Sequence, residues 1–162
     1  MEKILNSALN YAKQGIKVFP LKDTSNTETL LNSYQNMTTT DITKIIEWFT
    51  NTDYHVSVST GDGLIVIEVE NKKHSKELMQ QYIKQFPNTL FVRTPEDGWH
   101  FYYRVNRNVE TTFNVYDGTH VYGQGGYVLG AENQLENGKY LISMNKPIAC
   151  LLYTSDAADE RS

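Results

Sequence analysis

Two carboxylates one residue apart, Glu68 and Glu70, close the run Gly63-Leu64-Ile65-Val66-Ile67-Glu68-Val69-Glu70. Four apolar residues bounded by Thr60-Gly61-Asp62-Gly63 read as a buried strand. Side chains alternate along a strand, so Glu68 and Glu70 share a face. Paired carboxylates at the end of a buried strand repel each other and resist desolvation. A divalent cation would relieve both costs, because hard cations take oxygen ligands and Mg²⁺ is often held by one or two carboxylates plus substrate phosphates. The competing reading is a strand end with both acids in water.

Other groups with chemical potential lie further on. His100 follows the turn sequence Thr94-Pro95-Glu96-Asp97-Gly98. On a strand over 99–105, His100, Tyr102 and Arg104 share one face, where a His and an Arg can meet phosphate oxygens. A histidine bonded within a sheet is the alternative. Lys72 and Lys73 follow the Glu pair directly, and with Arg93 and Arg104 they form a small basic set able to face a triphosphate or a template. Solvated surface lysines are the plainer account. Gly118 to Tyr127 carries four glycines, which permit a tight turn or close backbone approach. It lacks the Gly-Lys-Ser/Thr ending of a phosphate-cradling loop, no helix follows it, and a hairpin turn remains open as a reading. No serine sits on a strand-to-helix elbow.

The elements that must position these groups follow from periodicity. A helix is expected over 3–14, with Ile4, Leu5, Ala8, Leu9 and Ala12 on one face and Gly15 as its stop. Ile16 to Pro20 is a short strand, and the polar stretch 22–39 a loop. Thr40-Asp41 caps a second helix carrying Ile42, Ile45, Ile46 and Phe49. His55 to Ser59 alternates as a strand. Ser75 is placed as the cap of a third helix burying Leu78, Tyr82, Ile83 and Phe86. Strands are expected at 89–94, 99–105, 115–122, 127–129 and 139–142. Helices interleaved with strands, then a run of antiparallel strands, argue for an α+β domain.

The chain has 162 residues, 15 basic and 19 acidic, for a net charge of −4. That gives no electrostatic footprint for a general nucleic-acid binder, though a local patch with metal ions is compatible with it. No stretch approaches the length of a membrane span, and Met1 to Asn6 has no signal-peptide shape, so a cytoplasmic location is expected. Residues 150–162 read like a translated sequencing adaptor, an apolar run followed by Asp156-Ala157-Ala158-Asp159-Glu160. The expected domain is therefore 1–149, cut before whatever followed. The one cysteine, Cys150, lies in that tail, which excludes a disulfide framework and Cys-ligated zinc from the domain.

In order, the pieces resemble the N-terminal domain of bifunctional DNA primase-polymerases, the prim-pol branch of the archaeo-eukaryotic primases. The resemblance runs from about Ala8 to Ile148. It is carried by Ala8 to Leu21, similar to the family's opening helix, glycine and "v-F-P-L" strand, and by Thr39-Thr40-Asp41 with Ile45 and Trp48. Ser59-Thr60-Gly61 before Gly63 to Glu70 resembles "i-a-T-G … g-l-v-v-i-D-v-D". Val92 to Tyr102 resembles "v-r-T-P-s-G-G-x-H-l-y-f". Gly118 to Val128 resembles "g-i-D-v-r-g-x-G-G-Y-v-v". The resemblance implies an RRM-like antiparallel sheet carrying the site, with an N-terminal α/β unit packed on it. It implies Glu68 and Glu70 as ligands of Mg²⁺ or Mn²⁺, and His100 as the contact to the triphosphate. The expected reaction is in-line nucleotidyl transfer on a DNA template and primer from nucleoside triphosphates, with Lys72, Arg93 and Arg104 assisting nucleotide binding. The expected setting is a replication protein of a phage, plasmid or integrated element, with a helicase domain following.

The sequence departs from that pattern. Both first acids are Glu. The third acid falls at His120, the third member of the expected catalytic set, and a nearby arginine falls at Tyr122. Asp117 lies three residues upstream of His120. A Lys-x-Pro is missing from 22–39, and Glu96-Asp97 replaces Ser-Gly before Gly98. A catalytically degraded module that binds DNA or positions a helicase is the alternative these departures raise.

Overall fold

A computed structural model describes residues 2–22, 37–82 and 85–151. Most of the expected 22–39 loop, Ile83, and the tail beyond Leu151 lie outside the described residues.

Helix α1 spans Glu2–Lys13 and buries Ala8 and Tyr11. It ends at Gly15, whose φ of +77° closes the last turn through Gly15 N–H to the Ala12 carbonyl and Ile16 N–H to the Tyr11 carbonyl. Strand β1 (Val18–Leu21) pairs antiparallel with β2 (His55–Ser59), and Pro20 is accommodated on this edge strand. Between them α2 (Ile42–Phe49) is capped by Asp41, whose carboxylate accepts from Thr43 N–H at 3.0 Å. Strand β8 (Tyr127–Leu129) completes this three-stranded sheet in the order β1-β2-β8.

The larger sheet is built on β3 (Leu64–Val69). It continues through α3 (Lys73–Tyr82), β4 (Phe91–Arg93) and β5 (Trp99–Arg104) to the hairpin β6 (Thr112–Tyr116) and β7 (Thr119–Tyr122). After a small hairpin of β9 (Gln134–Leu135) and β10 (Gly138–Lys139) come β11 (Leu141–Met144) and β12 (Ala149–Cys150). The strand order is β11-β4-β5-β3-β7-β6, with β12 parallel to the far half of β5. Both β3 and β4 run antiparallel to β5, so they are parallel to each other with one strand between them. Helix α3 makes the crossover, a split β-α-β unit. The architecture is α+β, as expected.

Strand β3 is apolar from Leu64 to Ile67 because it is covered on both sides. Leu64 and Val66 join Ala8, Tyr11, Val56, Val58 and Tyr102 in a core between the two sheets and α1. Ile65 and Val69 join Phe101 and Tyr103 on the opposite face, where Met79 and Phe86 pack. Each such side chain contributes about 1.5–3 kcal/mol by leaving water. Glu68 follows Leu64 and Val66 on the first face.

Several local expectations change. Ser75 is not a cap: it lies inside α3, fully buried, and its hydroxyl donates to the Glu70 carbonyl at 2.6 Å, tying the helix to the end of β3. The stretch 115–122 is a hairpin turning at Asp117-Gly118, with Gly118 at φ +76°. Gly123 to Gly126 is not a hairpin turn, since it carries the chain from β7 in the large sheet to β8 in the small one. A Cβ on Gly123 would run into the Val109 carbonyl, so this glycine serves a backbone crossing. The strand expected at 139–142 divides into β10 and β11 around Tyr140. Ala149 and Cys150 pair with Tyr103 and Arg104, and Leu151 N–H donates to the Arg104 carbonyl at 2.7 Å.

Candidate active site

Cross-strand register assembles the site. Val92, His100, Glu68 and His120 stand directly opposite one another on β4, β5, β3 and β7, so all four side chains share one face. Residues far apart in sequence thereby form one row with Glu68 between two imidazoles.

His100 Nε2 lies 2.7 Å from Glu68 Oε2. A carboxylate only accepts, so the imidazole donates. The Tyr122 hydroxyl donates to the other oxygen, Oε1, at 3.3 Å. Burial pushes the Glu68 carboxyl upward, but the bond and charge of His100, helped by His120 and Tyr122, outweigh it and hold the group below its ordinary value. Burial and the adjacent Glu68 raise the Tyr122 phenol well above its usual range, so it stays a donor.

His120 has a fixed tautomer. Asn114 N–H donates to His120 Nδ1 at 2.9 Å, which leaves the ring proton on Nε2. Nε2 then donates to Glu70 Oε2 at 2.9 Å and lies 4.0 Å from Glu68 Oε1. Lys72 Nζ stands 3.8 Å from Glu70 Oε2 and 3.8 Å from Asp117 Oδ1. The Asp117-Gly118 turn is what delivers that third carboxylate, to the rim rather than to the row. An open cleft of about 520 Å³ lies above, lined by Glu68, Glu70, Lys72, Thr94, Glu96 and Tyr140 among others. That volume is in the range of small-molecule sites.

The structure brings together five of the seven singled-out residues: Glu68, Glu70, His120, His100 and Lys72. His100 is 2 % exposed and spends Nε2 on Glu68, so it holds a carboxylate rather than presenting its ring to the cleft. Its Nδ1 is buried without a hydrogen-bond partner among the described residues. Arg93 and Arg104 are not in the cluster. Arg93 pairs with Trp99 in register, which places it on the opposite face from His100, and its guanidinium meets Asp97 at 3.0 Å. Arg104 shares the His100 face, but four residues along it, about 13 Å away at strand rise. Its guanidinium donates to the Gln14 carbonyl at the end of α1. Sequence reasoning had no role for Tyr122 as a donor or for Phe113, which meets His120 and Tyr122 edge-on. The Asp-Gly dipeptide at 117–118 was the signal for the hairpin that places both Phe113 and Asp117.

The donor set decides what the site can hold. The contacts of the Glu70 carboxylate with His120 and Lys72 both run through Oε2. Two carboxylates with an open cleft above them fit one oxygen-ligated divalent ion completed by water and phosphate. They do not fit a three-carboxylate arrangement, because the third position in the row presents an N–H. Among the described residues no group of three or more His, Cys, Asp or Glu side chains is arranged as a metal cage. No helix among them is long and apolar enough to cross a membrane.

No curated protein matches the chain. Residues 8–151 match the Prim-Pol family profile, described as the bifunctional DNA primase/polymerase N-terminal domain. With nearly its whole length covered, the chain belongs to the Prim-Pol family of bifunctional DNA primase/polymerase N-terminal domains.

Proposed function

We propose that this domain carries out template-directed nucleotidyl transfer from nucleoside triphosphates onto a DNA primer, with Glu68 and Glu70 holding Mg²⁺ or Mn²⁺. The observation that carries this reading is the oriented carboxylate pair under an open cleft, in a chain of a primase/polymerase family. When bound, the ion would activate the primer 3′-hydroxyl and offset charge on the pyrophosphate leaving group. The protein's own part is positioning. His100 and Tyr122 fix the Glu68 carboxylate, and their bonds favour its ionised form, the form that ligates a cation. His120 spaces Glu70 from Glu68 by donating between them. Lys72 offers an ammonium at the cleft rim to triphosphate oxygens.

In this reading the strand order β4-β5-β3-β7 around the split β-α-β crossover is an RRM-like core. The protein would be a cytoplasmic replication protein of a phage, plasmid or integrated element that works with a helicase region, its primase/polymerase domain taking in Cys150 and Leu151, which bond to Arg104. A second reading has a specific observation behind it. His120 presents Nε2–H where a third carboxylate would stand, and His100, His120 and Lys72 already satisfy the acids. That favours a module kept for DNA binding or helicase positioning with weakened catalysis.

Primer extension with Mn²⁺ and dNTPs separates the two. Extension that falls at least about a hundredfold in Glu68→Gln/Glu70→Gln supports transfer at this site. Extension unchanged in that variant overturns it. No extension by a folded chain that still binds primer-template establishes the second reading.

A further inference from the structure

We infer that Phe113 is a stacking platform for an unpaired base of single-stranded DNA beside the carboxylate row; this rests on the nucleic-acid reading above. Phe113 is 60 % exposed, on the edge strand β6. Its ring meets His120 at 5.7 Å and Tyr122 at 5.6 Å between centroids, edge-on to both. Those are the two side chains that bond Glu70 and Glu68. An exposed phenylalanine is common on a surface, but one fixed against the donors of an acidic site is not accounted for by packing.

The backbone holds it there. Pairing between β6 and β7 shifts register between Thr112 and Tyr116, and Asn114 sits at φ +54°. The Asn114 N–H, freed from the ladder, is taken by His120 Nδ1 at 2.9 Å. The same imidazole that orients Glu70 therefore locks the bulge that presents Phe113. The bulge also interrupts the edge, so β6 is a poor template for pairing with another strand.

The surroundings select the ligand. Glu68, Glu70 and Asp117 make this corner anionic, which disfavours phosphate against the ring. A nucleobase needs only a flat apolar face, and aromatic stacking tolerates every base. The committed occupant is thus an unpaired base stacked on the ring, with its phosphates directed away from the carboxylates.

The test is fluorescence anisotropy with a labelled oligo-dT and the full chain. Phe113→Ala should weaken binding at least about fivefold, Phe113→Tyr and Phe113→Trp should restore it, and Phe113→Leu should not. The Phe113→Trp variant should change emission on adding DNA, relative to the parent with its two native tryptophans. Circular dichroism of each variant checks the fold. Unchanged affinity in Phe113→Ala, or full affinity in Phe113→Leu, overturns the platform and leaves DNA binding standing. A parent chain that binds no single-stranded DNA overturns the nucleic-acid reading and the platform with it.

Discussion

Glu68 and His100 are register partners on adjacent antiparallel strands, and the imidazole Nε2 lies 2.7 Å from the carboxylate. A row position that would be one more apolar residue is instead a charge held by a buried donor. Glu68 is depressed below its ordinary value of 4.5, so its bonds stabilise the fold fully above that pH. The contribution is lost as pH falls through the lower folded value, because protonation removes the acceptor. Melting temperatures from pH 7 to 3 should fall for both the parent and Glu68→Gln as other acids protonate. The parent should fall more steeply below about pH 4.5, converging on the variant. Parallel curves would mean that the Glu68–His100 bond contributes nothing to stability.

His120 stands where the resemblance places a third acid, and it donates to Glu70 rather than accepting a cation. His120→Asp removes the donor and adds a carboxylate. Without metal the variant should be less stable than the parent by about 1–3 kcal/mol, the cost of leaving charged groups unpaired. With Mn²⁺ its melting temperature should rise more than the parent's, and its affinity for the ion should increase about tenfold or more through the added oxygen ligand. An equal Mn²⁺ response in the two proteins would show that position 120 does not face the ion.

Asn133 is fully buried. Its Oδ1 accepts from Val56 N–H at 2.9 Å, and its Nδ2 donates to the Val56 carbonyl at 2.7 Å and the Gly130 carbonyl at 2.9 Å. One side chain thereby extends the pairing of β2 beyond the end of β8. Asn133→Ala leaves the Val56 N–H and the Gly130 carbonyl without this partner, while the Val56 carbonyl keeps the Gly130 N–H; it should cost about 3 kcal/mol, read as a lowered urea midpoint with unchanged slope. A loss under about 0.5 kcal/mol would mean that water replaces the amide.

The site was partly legible in the sequence because strand alternation is local information. It placed Glu68 with Glu70, and His100 with Tyr102 and Arg104, before any fold was known. Register across strands is not local, so alternation alone does not say that His100 and His120 flank Glu68; only the family resemblance gathers them into one site, without their bonds. Arg104 shows the limit of face assignments, since the shared face is longer than the site and its far end is the stop of α1. Arg93 belongs to the basic set by composition alone, and its pairing with Trp99 puts it on the face away from His100. Ser75 carries a capping signal, yet the helix starts at Lys73 and the hydroxyl bonds backward to the Glu70 carbonyl. The crossing at Gly123 to Gly126 was hidden because glycines that admit a neighbouring backbone look the same in sequence as those that make a turn.

The most direct test of the account is calorimetric titration of dATP into the folded chain with and without Mn²⁺, beside Glu68→Gln/Glu70→Gln. Nucleotide binding that requires Mn²⁺ and disappears in the double variant is the predicted result. Binding that is indifferent to Mn²⁺, or that survives loss of both carboxylates, would contradict the assignment of Glu68 and Glu70 as the metal-holding pair.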